Sequence, residues 1–401
     1  MGERSAGQGR MPAIGLNLTW LVPGVVGGSE EYTIRLLTGV GLLAGSSHSL
    51  RVYGRRELFE RYPELTRGPF VAVVMPGRRI SKPQRIAMER TWLARVSVSD
   101  AIVHHMGGTV PFVRRRPSSR QRVAVTIHDL QPIDLAHNFS AVKRTWLGRL
   151  IPFAVDHADL VVCPSRFTAE RIIARFGADP SRLRVVQQGY HIDPQADWAA
   201  PSPDLVDRLV SRRFVLYPAI AYRHKRHRDL IDALDRLPDR LADIDIVFCG
   251  RPGPESERLR EQASAVGLTD RVHVLGRVPE ADLHWLYHHA LALTFPSEYE
   301  GFGNPCLEAM ARGCPVLASN ATALPEVLED AGVLIPTGDV DAWARAIVGL
   351  VDSPERSADL ARRGRERAAV FDPAMASSRL WAVYRELLGL DSVTALPLDS
   401  T

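Results

Sequence analysis

Residues 295–319 read FPSEYEGFGNPCLEAMARGCPVLAS. An apolar run closes at Phe295 as the end of a buried strand, two glycines mark a loop, the next segment has helical spacing for about three turns, and a second buried strand begins near Pro315. Glu300 and Glu308 lie eight positions apart, one in the loop and one inside the helix, so they are not an i,i+4 pair on a solvated face. Their placement fits the two ends of a ligand. Gly301 and Gly303 flank Phe302 at the helix start, where backbone N–H groups can approach an anionic or hydroxylated ligand with no Cβ in the way. The competing reading is an ordinary helix start with an exposed acidic turn.

The chain of 401 residues suits two domains of similar size, and 45% hydrophobic with 24% charged residues is a soluble globular composition. No apolar run reaches the roughly 18–20 residues of a membrane span, and the opening MGERSAGQGRMPAIGLNLTW lacks a signal-peptide layout, so a cytoplasmic location is expected. Cys163, Cys249, Cys306 and Cys314 form no CxxC and no His/Cys cluster; buried thiols in a reducing compartment are expected, with no metal site. Residues 1–200 carry 27 Lys+Arg against 16 Asp+Glu, while residues 201–401 carry 23 against 30. The basic residues cluster in GRRISKPQRIAMERTWLAR and VRRRPSSRQR. That face either attracts phosphate-bearing acceptors or the inner face of an anionic membrane as a peripheral contact, or is a solvated Arg-rich surface. Aromatics are not interleaved with bases in the manner of nucleic-acid binding. Only Lys82, Lys143 and Lys225 among the fifty basic residues are lysines, which singles out each of them.

Outward from the opening stretch, the chain alternates strands and helices. A first strand is expected over Ile14–Leu21, then the glycine turn Gly27–Gly28 and a helix opening at Ser29, whose free N–H groups face a phosphate-sized space. Strands at 50–53, 70–74, 101–104, 122–127, 160–163 and 183–186 follow, with helices between most of them, which implies βα units and a parallel sheet. His128 comes directly after VAVTI, at a strand's carboxyl end, where ligands gather. There it serves a substrate hydroxyl or is a hydrogen-bonded structural histidine; position does not choose. The proline-bearing segment 191–204 reads as a linker. The alternation then restarts at FVLYPAI (214–220). Lys225 falls in the loop before the next helix, placed to meet a phosphate. Asp243 and Asp245 precede a strand instead of following one, so this D-x-D reads as strand-edge polarity, and His284, His288 and His289 read as decoration of a helix. No G-x-S-x-G elbow of a serine hydrolase occurs.

The runs LYPAIAYRHKRHRDLIDAL, VHVLGRVPEADLHWLYHHA, FPSEYEGFGNPCLEAMARGCPVLASN and ALPEVLEDAGVLI, in that order, resemble the retaining glycosyltransferases of family 4 with the GT-B fold. GGSEEYTIRLL and TIHDLQPID match more loosely, and resemble the mannosyltransferases that use GDP-mannose. The resemblance implies an α/β chain of two Rossmann-like parallel-sheet domains facing across a cleft. These would be an acceptor-binding domain over 1–195, a nucleotide-sugar domain over 204–372, and a final helix over 373–390 that reaches back to the first domain. It further implies that Glu308 takes the ribose hydroxyls, and that Glu300, with Gly301 and the amides of Phe302 and Gly303, holds the donor sugar. Lys225 would neutralise the diphosphate with N–H groups at Gly27, Gly28, Ala323 and Leu324, while Arg277 and Val278 read the base. His128 would lie by the reacting centre. The family pattern places an arginine a few residues before the lysine, where this chain has Ile220; Arg223 compensates, or a histidine before the lysine, as in His224-Lys225, makes it dispensable. The implied reaction transfers a hexosyl group, mannose from GDP-mannose, to a hydroxyl of a glycan, lipid-linked or small acceptor, without a metal or other cofactor. The same chemistry with a UDP-sugar, a sugar-nucleotide isomerase or hydrolase, and a non-catalytic sensor are the alternatives.

Overall fold

The computed structural model describes residues 12–25, 27–77, 80–111, 121–192 and 198–390. Most of VRRRPSSRQR, the pair Arg78–Arg79 in the other basic cluster, part of the linker and the first eleven residues lie outside the described residues. The chain divides into two compact units. The first takes the described residues up to Asp134, then Phe139–Gly189 and the chain from Pro373; the second takes Leu135–Asn138 and Tyr190–Asp372.

The first unit holds β1 (Ala13–Asn17), β2 (Ser49–Gly54), β3 (Phe70–Val74), β4 (Ile102–His105), β5 (Arg122–Thr126), β6 (Leu160–Cys163) and β7 (Leu183–Val185) in the order β3-β2-β1-β4-β5-β6-β7. All its pairings are parallel. Helices cover both faces of such a sheet, so its strands are apolar on both sides, and every residue of β4 and β6 is buried. The final helix, Pro373–Leu387, packs Leu380, Val383 and Tyr384 into this core beside the helix Gly28–Ala44.

The second unit holds β8 (Arg213–Pro218), β9 (Ile244–Cys249), β10 (Val272–Gly276), β11 (Ala292–Phe295), β12 (Val316–Ser319) and β13 (Val333–Ile335), in the order β10-β9-β8-β11-β12-β13, again all parallel. Strand order reverses between β1 and β4 in one sheet and between β8 and β11 in the other. At such a switch point the loops from two neighbouring strands diverge and leave a crevice at the carboxyl ends.

Two expected elements are shorter in the structure. β1 stops at Asn17 instead of Leu21, because the Asn17 side chain takes the Thr19 N–H at 3.1 Å and turns the chain. The helix after Gly303 runs Asn304–Ala311, about two turns, because Gly313 adopts φ +70° and the chain must descend into β12. The D-x-D carboxylates sit at the opposite, amino end of the sheet: Asp243 is bidentate to Arg213, and buried Asp245 is held by Arg212 and His273. All four cysteines are buried and free.

Candidate functional site

Lys225 closes a single 3-10 turn, Arg223–Lys225, just past β8. The Tyr217 hydroxyl donates to the Lys225 carbonyl at 2.9 Å, and the ammonium lies 5.4 Å from the centre of the Phe295 ring, so residues of β8 and β11 set where the charge sits. The loops from these adjacent strands are joined by the Glu298 N–H, which donates to the His224 carbonyl at 2.9 Å. Lys225 Nζ donates directly to Glu300 Oε1, with the two side chains 18% and 13% exposed. The Glu300 N–H in turn donates to Thr322 Oγ1 at 3.0 Å. Thr322 follows β12 and adopts φ +54°, an unusual conformation for a β-branched residue and one that marks a constrained loop.

Gly303 ties the same loop to the β12 loop by close approach. It adopts φ +108°, and a Cβ built there would lie 2.6 Å from Leu324 Cδ2, so only glycine lets the two loops touch. No side chain caps the helix that starts after it. Phe302 is buried edge-on against Phe371, with ring centres 5.6 Å apart, and so fixes the loop from below. Glu308 lies in the second turn, where the Tyr287 hydroxyl donates to Oε2 at 3.3 Å and Arg312 donates to the Glu308 carbonyl at 3.1 Å. Arg277 and Val278 follow β10, the edge strand; Arg277 is exposed and Val278 packs on the core. The structure thus brings Lys225, Glu300, Gly303 and Leu324 into one contact chain through Thr322, with Ala323 buried behind it. Arg277 forms no hydrogen bond or ion pair with that chain among the described residues, and exposed Arg223 has no ion-pair partner there. Sequence reasoning passed over Thr322, because a lone Thr in NATALPE carries no periodic signal.

In the first unit, Gly27 adopts φ +82° and a Cβ there would meet nothing within 4 Å, so the turn before the helix Gly28–Ala44 is open. A carboxylate of the chain already occupies that first turn. Glu30 is buried, takes the Gly24 N–H at 2.9 Å and accepts from the Tyr62 hydroxyl at 2.7 Å. His128 donates from Nε2 to the Met106 carbonyl at 2.8 Å, which leaves Nδ1 as the acceptor nitrogen of a neutral ring. Trp20 and Tyr32 stand 5.7 Å from it, and burial lowers its pKa to about 4. Beside it the strand ends form a buried polar cluster. Asn17 Nδ2 donates to His105 Nδ1 at 2.9 Å, and the Thr19 hydroxyl lies between Asn17 Oδ1 and Glu89 Oε1, at 2.7 and 2.5 Å. A pocket of about 700 Å³ in the same unit is lined by Ile86, Glu89, Arg90, Val110, Trp146 and Arg149, among others.

Among the described residues no group of three or more His, Cys, Asp or Glu side chains is arranged to hold a metal ion, and no helix is long and apolar enough to cross a membrane. His288 and His289 donate from Nδ1 to carbonyls of the preceding turn, and His284 stacks on Trp198 at 4.0 Å.

Residues 208–367 match the family Glycosyl transferases group 1, and residues 26–194 match Glycosyltransferase Family 4. The chain is 29% identical over 235 residues to the O-antigen chain mannosyltransferase B of Escherichia coli, covering 58% of this chain and 62% of the relative. It is 35% identical over 255 residues to the D-inositol 3-phosphate glycosyltransferase of Salinispora tropica, covering 58% of this chain and 52% of the relative. The chain therefore spans roughly half to two thirds of these two proteins. Among solved structures, Anabaena HepE in complex with UDP and glucose superposes with a TM-score of 0.69 at 19% identity, over 94% of this chain and 100% of that one.

Proposed function

We propose that this chain, whose two Rossmann-like units each match one glycosyltransferase family model, is a glycosyltransferase of GT-B fold, and more closely a retaining, metal-independent hexosyltransferase using GDP-mannose. The observation that carries the reading is the pairing of Lys225 with Glu300 at the switch point of the second sheet, beside the Gly303 loop and Glu308. A nucleotide sugar needs a cation for its diphosphate, carboxylates for its ribose and sugar hydroxyls, and backbone that a ligand can approach closely. This crevice has all three.

In this reading Glu308 holds the ribose hydroxyls and Glu300 the hydroxyls of the sugar. Lys225 offsets charge on the departing diphosphate as the bond from the anomeric carbon to the phosphate oxygen breaks, and the N–H groups of Phe302 and Gly303 join Glu300 at the sugar. The acceptor oxygen forms its bond to that carbon on the same face, and its proton passes to the departing phosphate oxygen. No protein nucleophile is required. The acceptor, a hydroxyl of a glycan, lipid-linked or small molecule, is assigned to the first unit, where the pocket pairs apolar walls with Arg90 and Arg149.

Mannose is favoured by the name of the Escherichia coli relative and by the resemblance of the first half. A UDP-sugar is the second reading, favoured by the UDP and glucose of the Anabaena structure. A thermal-shift panel of GDP- and UDP-sugars separates them. Stabilisation by GDP-mannose above the UDP-sugars is expected; stabilisation by a UDP-sugar alone would overturn the donor assignment.

A further inference from the structure

Lys225 and Glu300 have separate duties toward the proposed donor, yet in the structure they hold each other. Their backbones have little freedom to part. The Lys225 carbonyl accepts from the buried Tyr217, the two loops are stapled at His224 and Glu298, and the Glu300 N–H is bonded to Thr322. A diphosphate arriving at Lys225 must therefore either displace the Glu300 carboxylate or share the ammonium with it. Sharing places a carboxylate beside a multiply charged anion, and displacement leaves a largely buried carboxylate without its counter-charge. Both are unfavourable.

An intact nucleotide sugar resolves the conflict, because its sugar hydroxyls donate to Glu300 while its diphosphate accepts from Lys225. A free nucleoside diphosphate offers only the second interaction. We propose that Glu300 is a specificity-determining residue that competes with the diphosphate for Lys225, so that the site favours the intact nucleotide sugar over the nucleoside diphosphate product and returns to the Lys225–Glu300 pair as that product leaves. The inference rests on the donor reading above. It adds a role for Glu300 in product release, separate from holding the sugar.

The test is calorimetric titration of GDP and GDP-mannose, with UDP and UDP-glucose alongside, into the full chain and into Glu300→Gln, Lys225→Met and the double variant. Wild-type protein should bind the nucleotide sugar more tightly than its nucleoside diphosphate. Glu300→Gln keeps the shape of the side chain and removes its charge; it should tighten nucleoside diphosphate binding on the order of fivefold and weaken that of the nucleotide sugar. In the Lys225→Met background the gain should disappear, since competition for the ammonium then has no object. Failure of Glu300→Gln to tighten the diphosphate, or an equal gain without Lys225, would overturn the proposal while leaving the donor reading intact. So would wild-type protein that binds the diphosphate at least as tightly as the nucleotide sugar, a measurement that needs no folded variant. Wild-type protein that binds none of the four nucleotides would overturn the donor reading and this proposal with it.

Discussion

The carboxyl ends of the two sheets carry polar side chains of different kinds. In the first unit the strand-end histidines are neutral and bonded to polar neighbours, and the one carboxylate that joins them, Glu89, is paired with Arg85. His104 lies between the Tyr384 hydroxyl and Thr126 Oγ1, both at 2.8 Å, and His105 is held by Asn17. In the second unit they are charged: Lys225 and Glu300 meet on loops, and Glu308 stands in the helix beyond Gly303. A buried neutral network is satisfied internally and gives a rigid wall, since opening it leaves unpaired groups in the core. A partly exposed ion pair is exchangeable, because a ligand can supply each partner with a replacement. Rigidity on one side and exchange on the other is the division this pair of strand ends displays.

The largest expected effect tests the exchangeable side. Glu300→Ala should lower kcat by about a hundredfold or more while GDP affinity does not fall, because the lost contacts are to the sugar. An equal loss in both would erase the distinction between Glu300 and its neighbours. Glu308→Ala should weaken nucleotide-sugar binding by about 2 kcal/mol, roughly thirtyfold, in calorimetric titration. Its melting temperature should stay near that of the wild type.

Acid acts on both sides and so limits the comparison. Burial lowers His104 to about 3 and His105 to about 4 in the first unit, and His227 to about 3 in the second. Unfolded histidines titrate near 6.5, so below that pH the unfolded chain binds protons that the folded chain does not. Stability should therefore fall as pH drops from 6.5 toward 4, by up to about 1.4 kcal/mol per pH unit for each such histidine. Urea midpoints at pH 7, 6 and 5 should decrease in that order, with no rise at any step.

The smallest effect tests the rigid side. Tyr384→Phe leaves His104 Nδ1 without its partner and should cost about 1–2 kcal/mol of stability in urea unfolding, with donor affinity unchanged. A change in donor affinity would mean that the network is not merely structural.

Much of this was legible before the fold. Short apolar runs placed the strands, and Gly301 and Gly303 marked the loop and the helix start between Glu300 and Glu308. The helix ended a turn early because its last turn reads helical through Arg312 until Gly313 is allowed its positive φ. The first strand ended early because one side chain, Asn17, turned the backbone. The partners were not legible. Lys225 and Glu300 are 75 positions apart, and His104 and Tyr384 are 280 apart. Glu30 drew no notice, although it occupies the very turn from which phosphate contacts were expected.

Residue pattern alone determined that this chain builds parallel βα units and puts a lysine, a carboxylate and glycines in loops at strand ends, with a second carboxylate in the helix that follows, since hydrophobic periodicity and backbone freedom are local properties. The order of strands in each sheet decided which loops became neighbours. Because β8 lies between β9 and β11, the loops that leave β8 and β11 are neighbours and Lys225 faces Glu300. That adjacency follows from packing whole strands and helices against one another, which no window of sequence contains.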